Sequence, residues 1–214
     1  MQEHKTIFWD WNGTLLDDTY VCIDAMNVLL RDRKLNELNE VTYRDIFTFP
    51  VRDYYAKAGF DFSKEAFEIP AIEFIENYDG MVKTAGIFED AIETLEAFKR
   101  EGYTQMILSA MQNEFLNDLV RSHKIDHYFS KISGIEDHYA AGKVDNARKL
   151  IAELEGRGGE MIMIGDTIHD HEVGHALGLR VILVCRGHQS EARLRETGRE
   201  LAHNFKEVIH LVKA

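Results

Sequence analysis

Thr6-Ile7-Phe8-Trp9-Asp10-Trp11-Asn12-Gly13-Thr14-Leu15-Leu16-Asp17 sets the pattern that the rest of the chain repeats. Its first four residues form an apolar run without alternation, as expected of a strand buried on both faces. The run stops at a carboxylate, Asp10, and an Asn-Gly pair follows, a strong turn signal. Similar runs recur downstream. Met106–Leu108 ends at Ser109, Met161–Ile164 ends at Gly165-Asp166, and Val181–Cys185 comes soon after.

Helical patterns separate these runs. Phe88, Ile92, Leu95 and Phe98 share one apolar face, with Glu89 and Asp90 in the first turn and Lys99 and Arg100 in the last. Those charges suit the helix dipole, and Gly102 suits the position just past the end. A helix over Asn113–Ser122 would turn Phe115, Leu116 and Leu119 inward. Asp145 can cap the next helix, where Ala147, Leu150, Ile151 and Leu154 repeat with helical spacing, and the glycine-rich turn Gly156–Gly159 follows. Strands alternating with helices predict an α/β fold, a Rossmann-like parallel sheet with helices on both faces.

One stretch departs from this alternation. From Asp18 to Met81 no alternating strand occurs, aromatics are dense, and Cys22, Met26, Leu29 and Leu30 make a helical stripe. The expected organisation is a core of residues 1–17 and 82–214 with an inserted all-helical cap domain at 18–81.

Composition narrows the function. The 214 residues suit one domain carrying an insertion. With Lys+Arg 25 against Asp+Glu 37 and a net charge of −12, no nucleic acid partner is expected. No apolar run approaches a membrane span, and the first strand begins too early to leave room for a signal peptide. Cys22 and Cys185 stand far apart, offering neither a disulfide framework nor a cysteine-based metal site. A reducing, cytoplasmic setting is the expectation.

Ligands of open α/β sheets bind beyond the C-terminal ends of the strands. Asp10, Ser109 and Asp166 occupy such ends, and Lys143 lies in the loop Gly142-Lys143-Val144-Asp145 before a helix. Asp10 through Asp17 is similar to the first signature of the haloacid dehalogenase-like superfamily. Ser109, Lys143 and Gly165-Asp166-Thr167-Ile168-His169-Asp170 look like the other three, in the family's order, and the resemblance covers essentially the whole chain. An insertion just after the first signature resembles the subfamily of phosphoglycolate phosphatase and β-phosphoglucomutase.

The resemblance implies a phosphatase-type hydrolase acting on a small phosphorylated metabolite. Asp10 would attack phosphorus and form an aspartyl-phosphate, splitting one hard step into two. Ser109, the main chain at Ala110 and Lys143 would hold the phosphoryl oxygens, since phosphoryl transfer needs positioning and charge neutralisation. Asp10, Asp166 and the main-chain carbonyl of Asn12 would hold Mg²⁺, which prefers oxygen ligands. Thr14 and Asp170 would orient these groups. The cap would supply specificity, with Arg52 as the candidate for a substrate carboxylate or phosphate because of its forked donors.

Each residue also has a plainer reading. Asp10 to Gly13 could be only a strand and a turn, Ser109, Asp166 and Asp170 helix caps, and Lys143 a solvated charge. Arg52 could be a surface arginine paired with Asp53 or Asp45. It is the ordered set, each member at a strand end or adjoining loop, that the plainer readings do not produce.

Two features resist the phosphatase reading. His171-Glu172-Val173-Gly174-His175 matches the H-E-x-x-H pattern of zinc proteases, with His188 and Glu191 available downstream, although Gly174 weakens the helix. His169 adds a third histidine to that cluster. More consequentially, Asn12 stands where most phosphatases of the superfamily carry a second aspartate, the group that protonates the leaving oxygen and then activates water. An amide cannot do this, and such a group contributes roughly 10²–10⁴-fold. Asn12 therefore points to a slow phosphatase, or alternatively to a non-catalytic protein that binds phosphate or a phosphorylated metabolite.

Overall fold

The run Thr6–Trp9 forms strand β1, buried along its whole length at the centre of a six-stranded sheet in the computed structural model, which describes residues 5–135, 142–153 and 159–214. On one side of it lie β4 (Thr104–Gln112) and then β5 (Lys131–Ile135). On the other lie β6 (Met161–Gly165), β7 (Arg180–Val184) and β8 (Glu200–Ala202). Every neighbouring pair is parallel, so all six C-terminal strand ends face the same edge.

Alternation along the strands sends side chains to two apolar layers. Ile7, Trp9, Ile107, Ile164 and Ile182 pack with Phe98 of α5 (Ala91–Arg100), Leu116 of α6 (Asn113–Ser122) and Phe205 of α10 (Phe205–Lys213). Phe8, Leu108, Met163 and Leu183 pack with Leu150 of α7 (Gly142–Glu153), Val173 of α8 (Ile168–Ala176) and Leu194 of α9 (Glu191–Arg195). Helices thus cover both faces, as the sequence predicts. Gly174 is what lets α8 lie so close, since a Cβ there would sit 2.4 Å from Val181 Cγ2. Buried polar groups in the sheet are matched: Trp9 Nε1 donates to Gln105 Oε1 (3.1 Å), and Gln105 Nε2 donates to the Leu95 carbonyl (2.9 Å).

Four helices fill the predicted insertion: α1 (Thr19–Asp32), α2 (Glu40–Ile46), α3 (Val51–Ala58) and α4 (Glu68–Met81). The α1 stripe of Cys22, Met26, Leu29 and Leu30 is buried, together with Tyr43, Tyr54, Tyr55 and Tyr78. The chain enters and leaves this segment through a small antiparallel ribbon, β2 (Leu16–Asp17) with β3 (Gly86–Ile87).

Local boundaries differ from the sequence reading in a few places. β4 continues past Leu108 to Gln112, with its pairing to β5 interrupted between those residues, so Ser109 lies within the strand at the irregularity. α7 begins at Gly142, which puts Lys143 inside the helix and Asp145 in its first turn, paired with Arg148 (3.0 Å) rather than capping. Leu154 and positions 156–158 of the expected turn lie outside the described residues. Among the described residues no helix is long and apolar enough to cross a membrane.

Candidate active site

The register of the central strands builds the site. Trp9 pairs with both Ile107 and Ile164, so Asp10 stands one residue past these pairs and Ser109 and Asp166 two past, on adjacent strands. The Asp10 N–H donates to the Ile164 carbonyl (2.8 Å), extending the ladder and fixing the residue. Lys143 reaches in from the first turn of α7, buried along its full length. Its ammonium donates to Asp10 Oδ1 (2.5 Å) and Asp170 Oδ1 (2.6 Å), bridging the first and last signatures across the sheet edge.

Asp166 and Asp170 are held from their own side. Thr14 Oγ1 donates to Asp166 Oδ1 (3.0 Å) and lies 3.4 Å from Asp10 Oδ2. The His188 N–H donates to Asp166 Oδ2 (2.6 Å). Asp170 Oδ2 receives the Thr167 hydroxyl (2.7 Å) and the Thr167 N–H (3.0 Å), forming a capping box at the start of α8. Gly13 makes the approach possible. Its φ is +68°, and a Cβ there would fall 2.4 Å from Asp166 Oδ2.

Charge does not balance in this cluster. Oxygens of Asp10, Asp166 and Asp170 lie within 4.8 Å of one another, all buried, with one ammonium between them. Burial, reinforced by the Asp170 charge, pushes the Asp10 carboxyl well above the usual range. Burial likewise pushes Asp166 up to about 6. Burial also opposes ionisation of Lys143 and Asp170, but Asp10 and Asp170 together raise Lys143, and Lys143 in turn lowers Asp170. A surplus of buried carboxylate oxygen suits a hard divalent cation, and the donor set fits Mg²⁺.

A second network lies beside the first, and the sequence reading did not find it. Asp18 is wholly buried and accepts from the Gly13 N–H (2.8 Å), Asn12 Nδ2 (2.8 Å) and Tyr78 Oη (2.7 Å). His188 Nε2 lies 3.3 Å from Asp18 Oδ1, while its Nδ1 bonds Tyr43 Oη (2.8 Å). Asn12 Nδ2 also donates to Tyr78 Oη (2.7 Å), so its amide is turned to Asp18 and to α4 of the helical insertion. Burial opposes both charges of the Asp18–His188 pair, but each partner outweighs it. Asp18 is lowered, and His188 is raised to about 9.

His188→Gln should therefore cost about 3–5 kcal/mol, because it strands a buried carboxylate without its counter-charge. The histidine is raised from its ordinary 6.5 to about 9, so its stabilisation is complete below pH 6.5 and is lost as pH rises through 9. Urea unfolding at pH 6.5 and 9.5 checks this. Wild type should lose more stability over that interval than the variant, and parallel losses would remove His188 as the source.

Other candidates fare unequally. Ser109 is buried at the same strand edge, where its Oγ accepts from the Met111 N–H (3.0 Å), and Ala110 is half-buried beside it. Arg52 is exposed, and its guanidinium lies over the rings of Phe62 (4.7 Å) and Phe67 (5.8 Å) within the helical insertion. Besides Tyr43 and Tyr78, aromatics of the insertion that meet the core include Phe47, 5.2 Å from the His188 ring, and Phe49, 4.7 Å from His169. The zinc-protease reading fails on geometry. Arg199 Nε donates to His171 Nδ1 (2.9 Å) and its Nη2 lies 3.3 Å from His175 Nδ1, so a cation occupies the face where the metal would sit. His188 is committed to Asp18, and Glu191 groups with Cys185 and His203 rather than with the His171–His175 pair.

Comparison with known proteins agrees with this geometry. The chain is 24% identical over 200 residues to a phosphoglycolate phosphatase of Aliivibrio fischeri, covering 87% of this chain and 86% of that one. It is 23% identical over 180 residues to the pyrophosphatase PpaX of Anoxybacillus flavithermus, covering 82% and 81%. A haloacid dehalogenase-like hydrolase structure from Streptococcus pneumoniae superposes over 99% of this chain and 100% of that one, with a TM-score of 0.84 at 21% identity. The model of the haloacid dehalogenase-like hydrolases matches residues 7–184, a span holding Asp10, Lys143, Asp166 and Asp170, and to that family the chain belongs.

Proposed function

We propose that the chain is a Mg²⁺-dependent phosphatase that hydrolyses a small phosphorylated metabolite through an aspartyl-phosphate on Asp10. The observation that carries this reading is the buried Lys143 ammonium joining Asp10 to Asp170 at the end of the central strand, with Asp166 alongside. Relatives named as a phosphoglycolate phosphatase and a pyrophosphatase support a phosphorylated substrate. Residues 18–81 act as the cap, and the work is done in the cytoplasm.

In this mechanism a carboxylate oxygen of Asp10 attacks phosphorus while the bond to the leaving oxygen breaks. Lys143, held charged, neutralises the transferred group, and the hydroxyl of Ser109 and the main chain at Ala110 hold its oxygens. Mg²⁺ bound by Asp10, Asp166 and the Asn12 main-chain carbonyl would add positive charge at the same group. Thr14 and Asp170 keep Asp166 and Lys143 in place. Water then hydrolyses the aspartyl-phosphate and regenerates Asp10. The Asn12 amide is too weak an acid to protonate the leaving oxygen, so turnover is slow for poor leaving groups and faster for acyl phosphates or pyrophosphate. A second reading, a protein that binds a phosphorylated metabolite without turning it over, draws on the Asn12 amide being engaged by Asp18 and Tyr78.

A Mg²⁺ activity screen over phosphomonoesters, pyrophosphate and acyl phosphates tests the reading, and silence across all classes favours binding alone. The metal assignment has its own check. Asp166→Ala should weaken Mg²⁺ binding at least roughly tenfold in titration calorimetry. Equal affinity in the two proteins would take Asp166 out of the site.

A further inference from the structure

Cys185 lies just past β7, half-buried, three residues before His188. Its Sγ, a carboxylate oxygen of Glu191 and a ring nitrogen of His203 all lie within 4.8 Å of one another. The three residues come from a strand end, the first turn of α9 and the turn between β8 and α10. Only the fold assembles them, which is why the spacing of the two cysteines in the sequence gave no sign of a metal site. The Cys185 N–H donates to the Ala202 carbonyl (2.8 Å), which keeps the strand end beside the His203 turn.

We propose that Cys185, Glu191 and His203 bind a borderline-soft divalent cation of the Zn²⁺ type, at a site separate from the Asp10 cluster. Thiolate, imidazole and carboxylate together favour such an ion over Mg²⁺, which takes oxygen donors. In a tetrahedron with bonds of about 2.0–2.3 Å, donors sit roughly 3.3–3.8 Å apart. His203 Nε2 and Glu191 Oε2 are 3.3 Å apart.

The histidine is also oriented from behind. Glu207 Oε2 accepts from the His203 N–H (2.9 Å) and lies 3.1 Å from His203 Nδ1. With Nδ1–H donated to that carboxylate, Nε2, the nitrogen beside Glu191, is left to bind a cation, the arrangement found behind metal-bound imidazoles. Glu191 is steadied in the same way, with Arg195 bonded to Oε1 and Oε2 left toward His203. The His203 side chain is 54% exposed, so an ion can enter from solvent and water can complete its coordination. The other thiol cluster, Asp18, Cys22 and His188, lacks this openness, because Asn12, Gly13 and Tyr78 already fill its carboxylate.

Titration of the reduced full-length protein with Co²⁺, in buffer containing Mg²⁺, tests the site. A thiolate-to-cobalt charge-transfer band should saturate at one equivalent and be displaced by Zn²⁺. Co²⁺ held by the Asp10 cluster has only oxygen donors and gives no such band. Cys185→Ser should abolish the band, and Cys22→Ala should retain it. Glu207→Gln should lower the affinity roughly 10–100-fold without removing a ligand. In Mg²⁺-saturated buffer, Zn²⁺ should also raise the melting temperature of wild type by more than that of Cys185→Ser. A wild type that shows no thiolate band at saturating Co²⁺ overturns the proposal, as does a band that survives Cys185→Ser. In either case His203 is only an ion-pair partner of Glu191 and Glu207.

Discussion

Asp10→Ala should abolish turnover, by roughly 10⁴-fold or more, and should at the same time make the Mg²⁺-free protein more stable. The two effects share one cause. Asp10 is one of three buried carboxylates facing a single ammonium, and burial together with Asp170 already holds its carboxyl far above the usual range. Removing it relieves that repulsion, and Lys143 keeps its 2.6 Å bond to Asp170. A site selected for chemistry carries such strain at the expense of stability. Thermal melts without Mg²⁺ should therefore rise while activity disappears, which separates loss of the nucleophile from loss of the fold. Intact mass after incubation with acetyl phosphate gives an independent reading. Wild type should carry an adduct of phosphoryl mass, because slow dephosphorylation lets it accumulate, and Asp10→Ala should not. An adduct of equal yield on the variant would mean that another residue takes the phosphoryl group.

What was legible in the sequence follows from how local each signal is. Asp10 and Asp166 end buried strands, and a run of apolar residues fixes where a strand stops, so their meeting at one sheet edge could be expected before any coordinates. Lys143 was legible as a member of an ordered set, although its helix begins at Gly142, three residues before the Asp145 that the capping pattern places ahead of it. The β2–β3 ribbon was not legible, since two-residue strands carry no periodicity. Nor was the Asp18–His188 pair. Asp18 stands before a helix, where an aspartate ordinarily reads as a cap, yet it makes no capping bond and turns inward to a histidine in a distant loop. The His171–His175 pair misled for the opposite reason. Helical spacing places the two rings together, but their partner, Arg199, is set by tertiary packing that spacing cannot reveal.

Asn12→Asp should raise turnover of alkyl phosphomonoesters, by up to roughly 10²–10⁴-fold, but the size of the gain depends on Asp18. Asn12 now donates its amide to Asp18 Oδ2 at 2.8 Å, so a carboxylate at position 12 would face another carboxylate at that distance. Like charges so close in a buried setting cannot both ionise at ordinary cost. The new side chain must either hold a proton against Asp18 or swing away from it, and the Tyr78 contact at 2.7 Å would be remade in both cases. Asn12→Asp combined with Asp18→Asn exchanges the two groups and preserves both the net charge and an amide–carboxylate pair. The double variant should therefore exceed the single one in kcat, with a smaller gain for p-nitrophenyl phosphate, whose leaving group needs little protonation. Asn12-Gly13 is prone to deamidation, which would create the carboxylate spontaneously, so peptide mass mapping must show wild type free of it. Steady-state kinetics on folded, Mg²⁺-saturated proteins decides the matter. No gain in either variant would mean that the amide at position 12 belongs to a site built to hold a phosphorylated ligand rather than to turn it over.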